Sequence, residues 1–232
     1  MAAPSTLATS SSRVVINLTV HGVGSSVRQL DPGEDRTWVS VEQLELVLDA
    51  CVGRGDVRLT FDDGNASDVE VALPRLRDRG LRAEFFVLAG LLGEPGRVNR
   101  DGVRELLDAG MTVSSHGWAH RDWRRITADE AQQELIDAHR VLTELTGRDV
   151  SRVAIPFGSY DRHVLRRLRD AGVTRVYTSD GGPARPDEWL QARTSLRHDI
   201  NDAWVARVLD SAPSPLQRAR GLAARTVKRW RG

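Results

Sequence analysis

Apolar, β-rich runs alternate along this chain with helical patterns that stop at glycine, and no other feature constrains the fold as much. Residues 13–20 read as a buried strand. Ser40 caps the helix that follows, with Gln43 at the third position of a capping box. Strand patterns at 57–61, 83–88, 111–115, 152–156 and 174–178 then alternate with helical patterns at 67–79, 100–109, 127–146 and 161–171. Gly80, Gly110, Gly147 and Gly172 terminate the four helices, and Thr127 with Glu130 opens the third on a second capping box. Residues 193–196 read as a last short strand, and 22–37 as a surface loop. Repeated β-then-α alternation predicts an α/β fold with parallel strands. At least six strands in one domain suit a small (β/α) barrel or an open doubly wound sheet.

Composition bounds the function. The 33 basic residues nearly balance 32 acidic ones for a net charge of +1, which argues against a nucleic-acid binder. The balance is uneven along the chain. Residues 211–232 carry six basic residues and no acid, leaving 27 basic against 32 acidic residues in 1–210. Lys228 is the only lysine, so a P-loop or Schiff-base lysine in the body is excluded. Cys51 is the only cysteine, which excludes an intrachain disulfide and a cysteine-rich zinc site; its helical setting predicts a small buried apolar residue. No apolar run is long enough to span a membrane. Residues 1–12, rich in Ala, Ser and Thr, read as a disordered leader and not a signal peptide, so the cytoplasm is the expected location. The expected organisation is leader 1–12, barrel domain 13–210 and a basic amphipathic helix 211–232. Two readings of that helix stand open: packing on the barrel with a solvated basic face, or peripheral contact with anionic lipid at the inner membrane face.

Three strand ends carry chemistry. Thr60-Phe61-Asp62-Asp63-Gly64 sets two carboxylates side by side, a costly arrangement that a cation relieves; the bland alternative is a surface Asp-Asp-Gly turn. His116-Gly117-Trp118-Ala119-His120 places two of the six histidines four apart, a spacing that lets both face one cation. One Asp with two His leaves coordination positions open, as catalytic sites do. Ala154-Ile155-Pro156-Phe157-Gly158 ends a third strand in an irregular loop able to direct a backbone N–H into a site. His21 ends the first strand and is expected to reach the same pocket. Trp118 and Trp123 flank His120, as sugar-stacking faces or as packing. His139 and His163 fall in helical patterns and read as surface residues, and Glu84 sits unexplained within a strand.

These clusters, in this order, resemble the polysaccharide deacetylase family (NodB-homology, carbohydrate esterase family 4) over about residues 14–197. The resemblance implies an α/β fold of one domain, a deformed (β/α) barrel of about seven parallel strands, and a metal-dependent hydrolase that removes N-acetyl groups from a sugar or glycan. It implies a divalent metal, usually zinc, held by Asp63, His116 and His120, with water at the metal as nucleophile and Asp62 as general base. It assigns the Pro156-Phe157-Gly158 loop to the substrate pocket, the Phe157 N–H to the oxyanion, and His198, late in the chain, to the general acid. The family often carries Arg where this chain has Ala154. Arg124 is the nearest candidate by sequence to orient the base in its stead. Two other functions stay open: hydrolysis of another acyl or C–N bond in a small molecule, and a glycan-binding protein that has lost catalysis.

Overall fold

The computed structural model describes residues 14–30, 33–210 and 226–228. Seven strands run parallel in chain order: β1 (Ile16–Val20), β2 (Val57–Phe61), β3 (Ala83–Val87), β4 (Thr112–Ser115), β5 (Arg152–Ala154), β6 (Arg175–Thr178) and β7 (Leu190–Ser195). β7 pairs back onto β1, closing a (β/α) barrel. The crossovers carry α1 (Val41–Cys51), α2 (Asp68–Ala72 continuing as Leu73–Asp78), α3 (Arg100–Asp108), α4 (Ala128–Ala131, Gln132–Asp137 and Ala138–Thr146) and α5 (Arg162–Asp170). After β7 comes α6 (Asp202–Val205 continuing as Ala206–Asp210), an element the sequence pattern does not announce. Asn201 caps it, accepting the Trp204 N–H. Both expected capping boxes form, at Ser40 and at Thr127.

Strand residues alternate between two environments. Leu18, Val20, Leu59, Phe61, Phe85 and Val87 join Leu44, Leu48, Leu76 and Leu106 of the helices in one buried cluster. Val153 and Val176 join Trp123, Leu135, Val164 and Leu168 in a second. Each such side chain contributes about 1.5–3 kcal/mol through burial. The other face of the strands lines the barrel interior, and it is polar: Asn17, Thr19, Thr60, Glu84, Ser114, Gln191 and Arg193 are all buried. Bonds across the barrel satisfy much of it. The Asn17 amide donates to the Ala192 carbonyl (2.9 Å). The Glu84 carboxylate accepts from Ser114, Arg152 and Tyr177, which accounts for a carboxylate inside a strand.

The polar interior explains where the sequence pattern misleads. β7 begins at Leu190, not at 193, because inward-facing Gln191 and Arg193 interrupt its apolar run. β5 stops at Ala154, since Pro156 has no N–H for the ladder and opens a tight turn over Pro156–Gly158. Helices α2 and α4 each contain a wider, π-type stretch, Asp68–Ala72 and Gln132–Asp137. Such stretches often mark functional positions. Cys51 is buried and its thiol is pushed up to about 11 by burial, as expected of an inert apolar residue. No helix among the described residues is long and apolar enough to cross a membrane. The leader 1–12 lies outside the described residues, as does the 211–232 helix except for residues 226–228.

His139 is not the surface residue its pattern suggests. Its Nε2 is buried without a partner, and burial pulls the imidazole from 6.5 down to about 4. The folded chain therefore keeps it neutral while the unfolded chain protonates it below 6.5. The stability this group protects is complete above pH 6.5 and is lost as pH falls towards 4, by on the order of 2 kcal/mol. His139→Leu is expected to flatten that acid limb. Between pH 7.5 and 4.5 the wild type should lose about 4–8 °C more in Tm than the variant. Parallel Tm losses would refute this.

Candidate active site and metal centre

The C-terminal ends of parallel barrel strands gather side chains into one mouth. Here the inward parity of β1, β2 and β4 carries on into His21, Asp62 and His116. Three further residues are brought in by the backbone. Asp63 (φ 72°), His120 (φ 57°) and Phe157 (φ 58°) are the non-glycine residues with positive φ among those described. L-residues with a Cβ are strained in this region, and such strain clusters at functional sites. At Gly64, next to Asp63, a side chain would press on Val87 and Val98. The turn after Asp63 is braced on several sides. The Asn65 amide donates to the His21 carbonyl (2.6 Å), Arg97 donates to the Asp63 carbonyl (2.9 Å), and Asp68 accepts the Asn65 N–H (3.1 Å). Burial, with Asp63 close by, raises the Asp68 carboxyl well above its ordinary value.

Asp63, His116 and His120 each offer a ligand atom within 4.8 Å of the others. Asp63 Oδ1 lies 3.3 Å from His116 Nε2 and 3.4 Å from His120 Nε2, yet it is buried without a hydrogen-bond partner. His116 Nδ1 sits 2.9 Å from the Ala154 carbonyl. Donation there leaves the Nε2 lone pair pointing at the cluster, the usual support for a ligating histidine. Burial draws the His120 imidazole down to about 4. Burial would lower His116 as well, but the Asp62 and Asp63 carboxylates beside it override burial and raise it. Burial would raise Asp63, but His116 and His120 beside it hold it well below the carboxylate range. An orphaned carboxylate oxygen and two imidazole nitrogens around one point fit a divalent cation, and one oxygen with two nitrogens suits zinc.

Asp62 lies beside this triad. Burial would raise its carboxyl too, and the Arg193 guanidinium, followed by His116, overrides burial and holds it below the usual range. Arg193 grips both carboxylate oxygens at 2.6 Å and also donates to Thr60 Oγ1 (3.2 Å). It is 1% exposed and lies over the Phe86 and Tyr177 rings. The arginine missing at position 154 is thus supplied from β7. Arg124 does not supply it: its guanidinium is paired with Asp122 (3.1 Å). No sequence motif marks Arg193; only its inward position on β7 does.

Glu134 is the other residue the motifs miss. It is fully buried, on the π-type stretch of α4. Its carboxylate accepts the backbone N–H groups of Trp118 (2.9 Å) and Ala119 (3.0 Å) and the Trp123 indole N–H (3.2 Å). Those donors lie between and just after His116 and His120. Gly117 leaves room for it, since a Cβ there would meet Glu134 Oε2 at 2.4 Å. Trp123 is buried and serves packing, and half-buried Trp118 packs over Gly90 against the core.

His198 is not brought to the site. It is exposed after β7, tethered to the Arg36 carbonyl through its backbone N–H (3.1 Å) and its ring (3.2 Å). The strand ends before it, so the inward parity of β7 does not extend to position 198. The histidine beside Asp62 is His21, with Nε2 3.8 Å from the carboxylate. Pro156 and Gly158 are buried, whereas Phe157 is 61% exposed with its ring 4.3 Å from that of His120.

Known proteins resemble this chain in sequence and in fold. The polysaccharide deacetylase family profile matches residues 49–176, more than half of the chain. Peptidoglycan-N-acetylglucosamine deacetylase PgdA of Listeria monocytogenes is 28% identical over 114 residues, covering 48% of this chain and 23% of its own length. The peptidoglycan-N-acetylglucosamine deacetylase of Bacillus cereus is 26% identical over 129 residues, covering 54% and 45%. The chain spans half or less of the length of these curated relatives. The solved structure of Streptococcus pyogenes deacetylase PplD in complex with acetate superposes with a TM-score of 0.74 at 18% identity, covering 85% of this chain and 99% of that one. The polysaccharide deacetylase BC0361 of Bacillus cereus gives 0.74 at 21%, covering 84% and 68%. With the barrel, the paired aspartates and the profile match in agreement, the chain belongs to the polysaccharide deacetylase family.

Proposed function

We propose that this protein is a metal-dependent N-deacetylase of an N-acetylated sugar or glycan. The observation that carries the reading is the convergence of Asp63, His116 and His120 on one point, with the arginine-held Asp62 carboxylate beside it. The relatives named as peptidoglycan deacetylases support an N-acetylated glycan as substrate class.

Asp63, His116 and His120 would hold the ion, zinc being the best match to the donors. When bound, a divalent ion supplies Lewis-acid chemistry: it polarises the acetyl carbonyl and lowers the pKa of water. Asp62 accepts the proton of the water that attacks the carbonyl carbon, and Arg193 keeps that carboxylate ionised and aimed. The Phe157 N–H, on the loop whose ring lies against His120, helps hold the oxyanion. Asp62 then returns its proton to the departing nitrogen as the C–N bond breaks, so amide and water become acetate and amine. His21 and the loop formed by Pro156, Phe157 and Gly158 line the substrate side.

The test is acetate release from a panel of N-acetylglucosamine oligomers and peptidoglycan fragments, with N-acylated and ester small molecules alongside. Activity on the sugars is expected to vanish with a chelator and return with zinc. Sugar deacetylation indifferent to the chelator would overturn the metal reading. Activity confined to the small molecules would replace the substrate class, and zinc-loaded protein that binds glycan without turnover would favour a binding role.

A further inference from the structure

Lys228 does not behave as part of a solvated basic face. Its Nζ lies 2.6 Å from Asp180 Oδ1 and 3.2 Å from the Gly158 carbonyl, and 5.2 Å from the centre of the Tyr160 ring. The neighbouring Val227, an apolar residue of the amphipathic helix expected at 211–232, is 61% exposed. At this turn the lysine meets the barrel and the apolar residue faces out.

The seat is built for an ammonium. The Asp180 side chain is 2% exposed, and its other oxygen already accepts from Tyr160 (2.7 Å) and Thr178 (2.9 Å). Without a cation on Oδ1, a carboxylate would be buried with only neutral donors. A carboxylate, a carbonyl and an aromatic face all lie within reach of one point. A compact ammonium with three rotatable donors satisfies all of them, whereas a planar guanidinium presents a fork. The chain uses arginine at 32 of its 33 basic positions, and its one lysine stands here.

The seat adjoins the catalytic loop. Gly158 follows Phe157, both hold positive φ, and a Cβ on Gly158 would collide with Ser179 Oγ at 1.8 Å. We infer that Lys228 is a positioning residue: its ammonium clasps the loop carrying Phe157 through the Gly158 carbonyl and Asp180, and so fixes the Phe157 peptide for the oxyanion. The positioning role rests on the deacetylase reading; the clasp does not.

The full chain, bearing a single lysine, allows two separate readings. Amine acylation at Lys228, followed by peptide mass spectrometry, is expected to run roughly tenfold slower in native than in urea-unfolded protein, and to speed up in native Asp180→Asn. Equal rates in native and unfolded wild type would overturn the clasp, whether or not Asp180→Asn folds and whether or not the protein deacetylates sugars. Lys228→Gln is then expected to lower kcat on N-acetylglucosamine oligomers roughly tenfold, with KM and zinc content unchanged. Lys228→Arg is expected to recover less than half of that loss. A protected Lys228 whose removal leaves kcat unchanged would overturn the positioning role.

Discussion

Asp62→Asn is expected to lower kcat about 10²–10⁴-fold while zinc content stays at the wild-type level, because a proton acceptor is removed and no metal ligand is touched. The same change should destabilise the fold. Arg193 is buried and commits its guanidinium to the two Asp62 oxygens. Taking one member from a buried pair leaves an uncompensated charge, at a cost of about 3–5 kcal/mol. Arg193→Met should cost a similar amount and also reduce kcat, since the carboxylate loses both its charge partner and its aim. The double variant Asp62→Asn/Arg193→Met removes both charges and is expected to recover most of the lost stability while recovering no activity. Urea unfolding of the four proteins, with acetate release measured beside it, checks both halves. Additive destabilisation in the double variant would mean that the two side chains are not energetically coupled. Full activity in Arg193→Met would show that the base needs no arginine.

That pair also marks the boundary of what the residues alone disclose. The triad was legible, since strand-end motifs such as Asp62-Asp63-Gly64 and His116-x-x-x-His120 combine chemistry-bearing residues with recognisable spacing. The alternation of strands and helices was legible too, because the outward strand positions are apolar and the helices carry caps and glycine stops; that pattern fits a barrel or an open sheet, and the family resemblance pointed to the barrel. The polar interior was not. Gln191 and Arg193 look like surface residues in a one-dimensional pattern, and only closure of β7 onto β1 turns them inward. Closure then brings Arg193 to Asp62, a partner 131 positions away in the chain. Arg124, close in sequence to His120, is already paired with Asp122. His198 lies exposed on the Arg36 carbonyl for the complementary reason: nearness to a strand end in sequence does not carry a side chain inward once the strand has stopped. The positive φ of Asp63, His120 and Phe157 was equally hidden, because no residue type signals strain that the surrounding fold imposes.

Glu134→Gln is expected to weaken zinc binding about 10–100-fold, the usual effect of losing a group that orients metal ligands. The carboxylate accepts three N–H groups from the loop that carries His120. An amide retains one acceptor atom and places an NH₂ against donors, so at least one N–H loses its partner, at about 1–3 kcal/mol where the group is buried. His120 depends on this loop for its left-handed backbone, whereas His116 is also fixed by the Ala154 carbonyl. The loss should therefore fall on one ligand of three. Competition with a chromophoric chelator reads the affinity, and kcat at saturating zinc reads the rest. A positioning role predicts weaker zinc binding with kcat restored to within a few-fold once the metal is saturating. Unchanged zinc affinity in a folded Glu134→Gln protein would assign the carboxylate to packing alone.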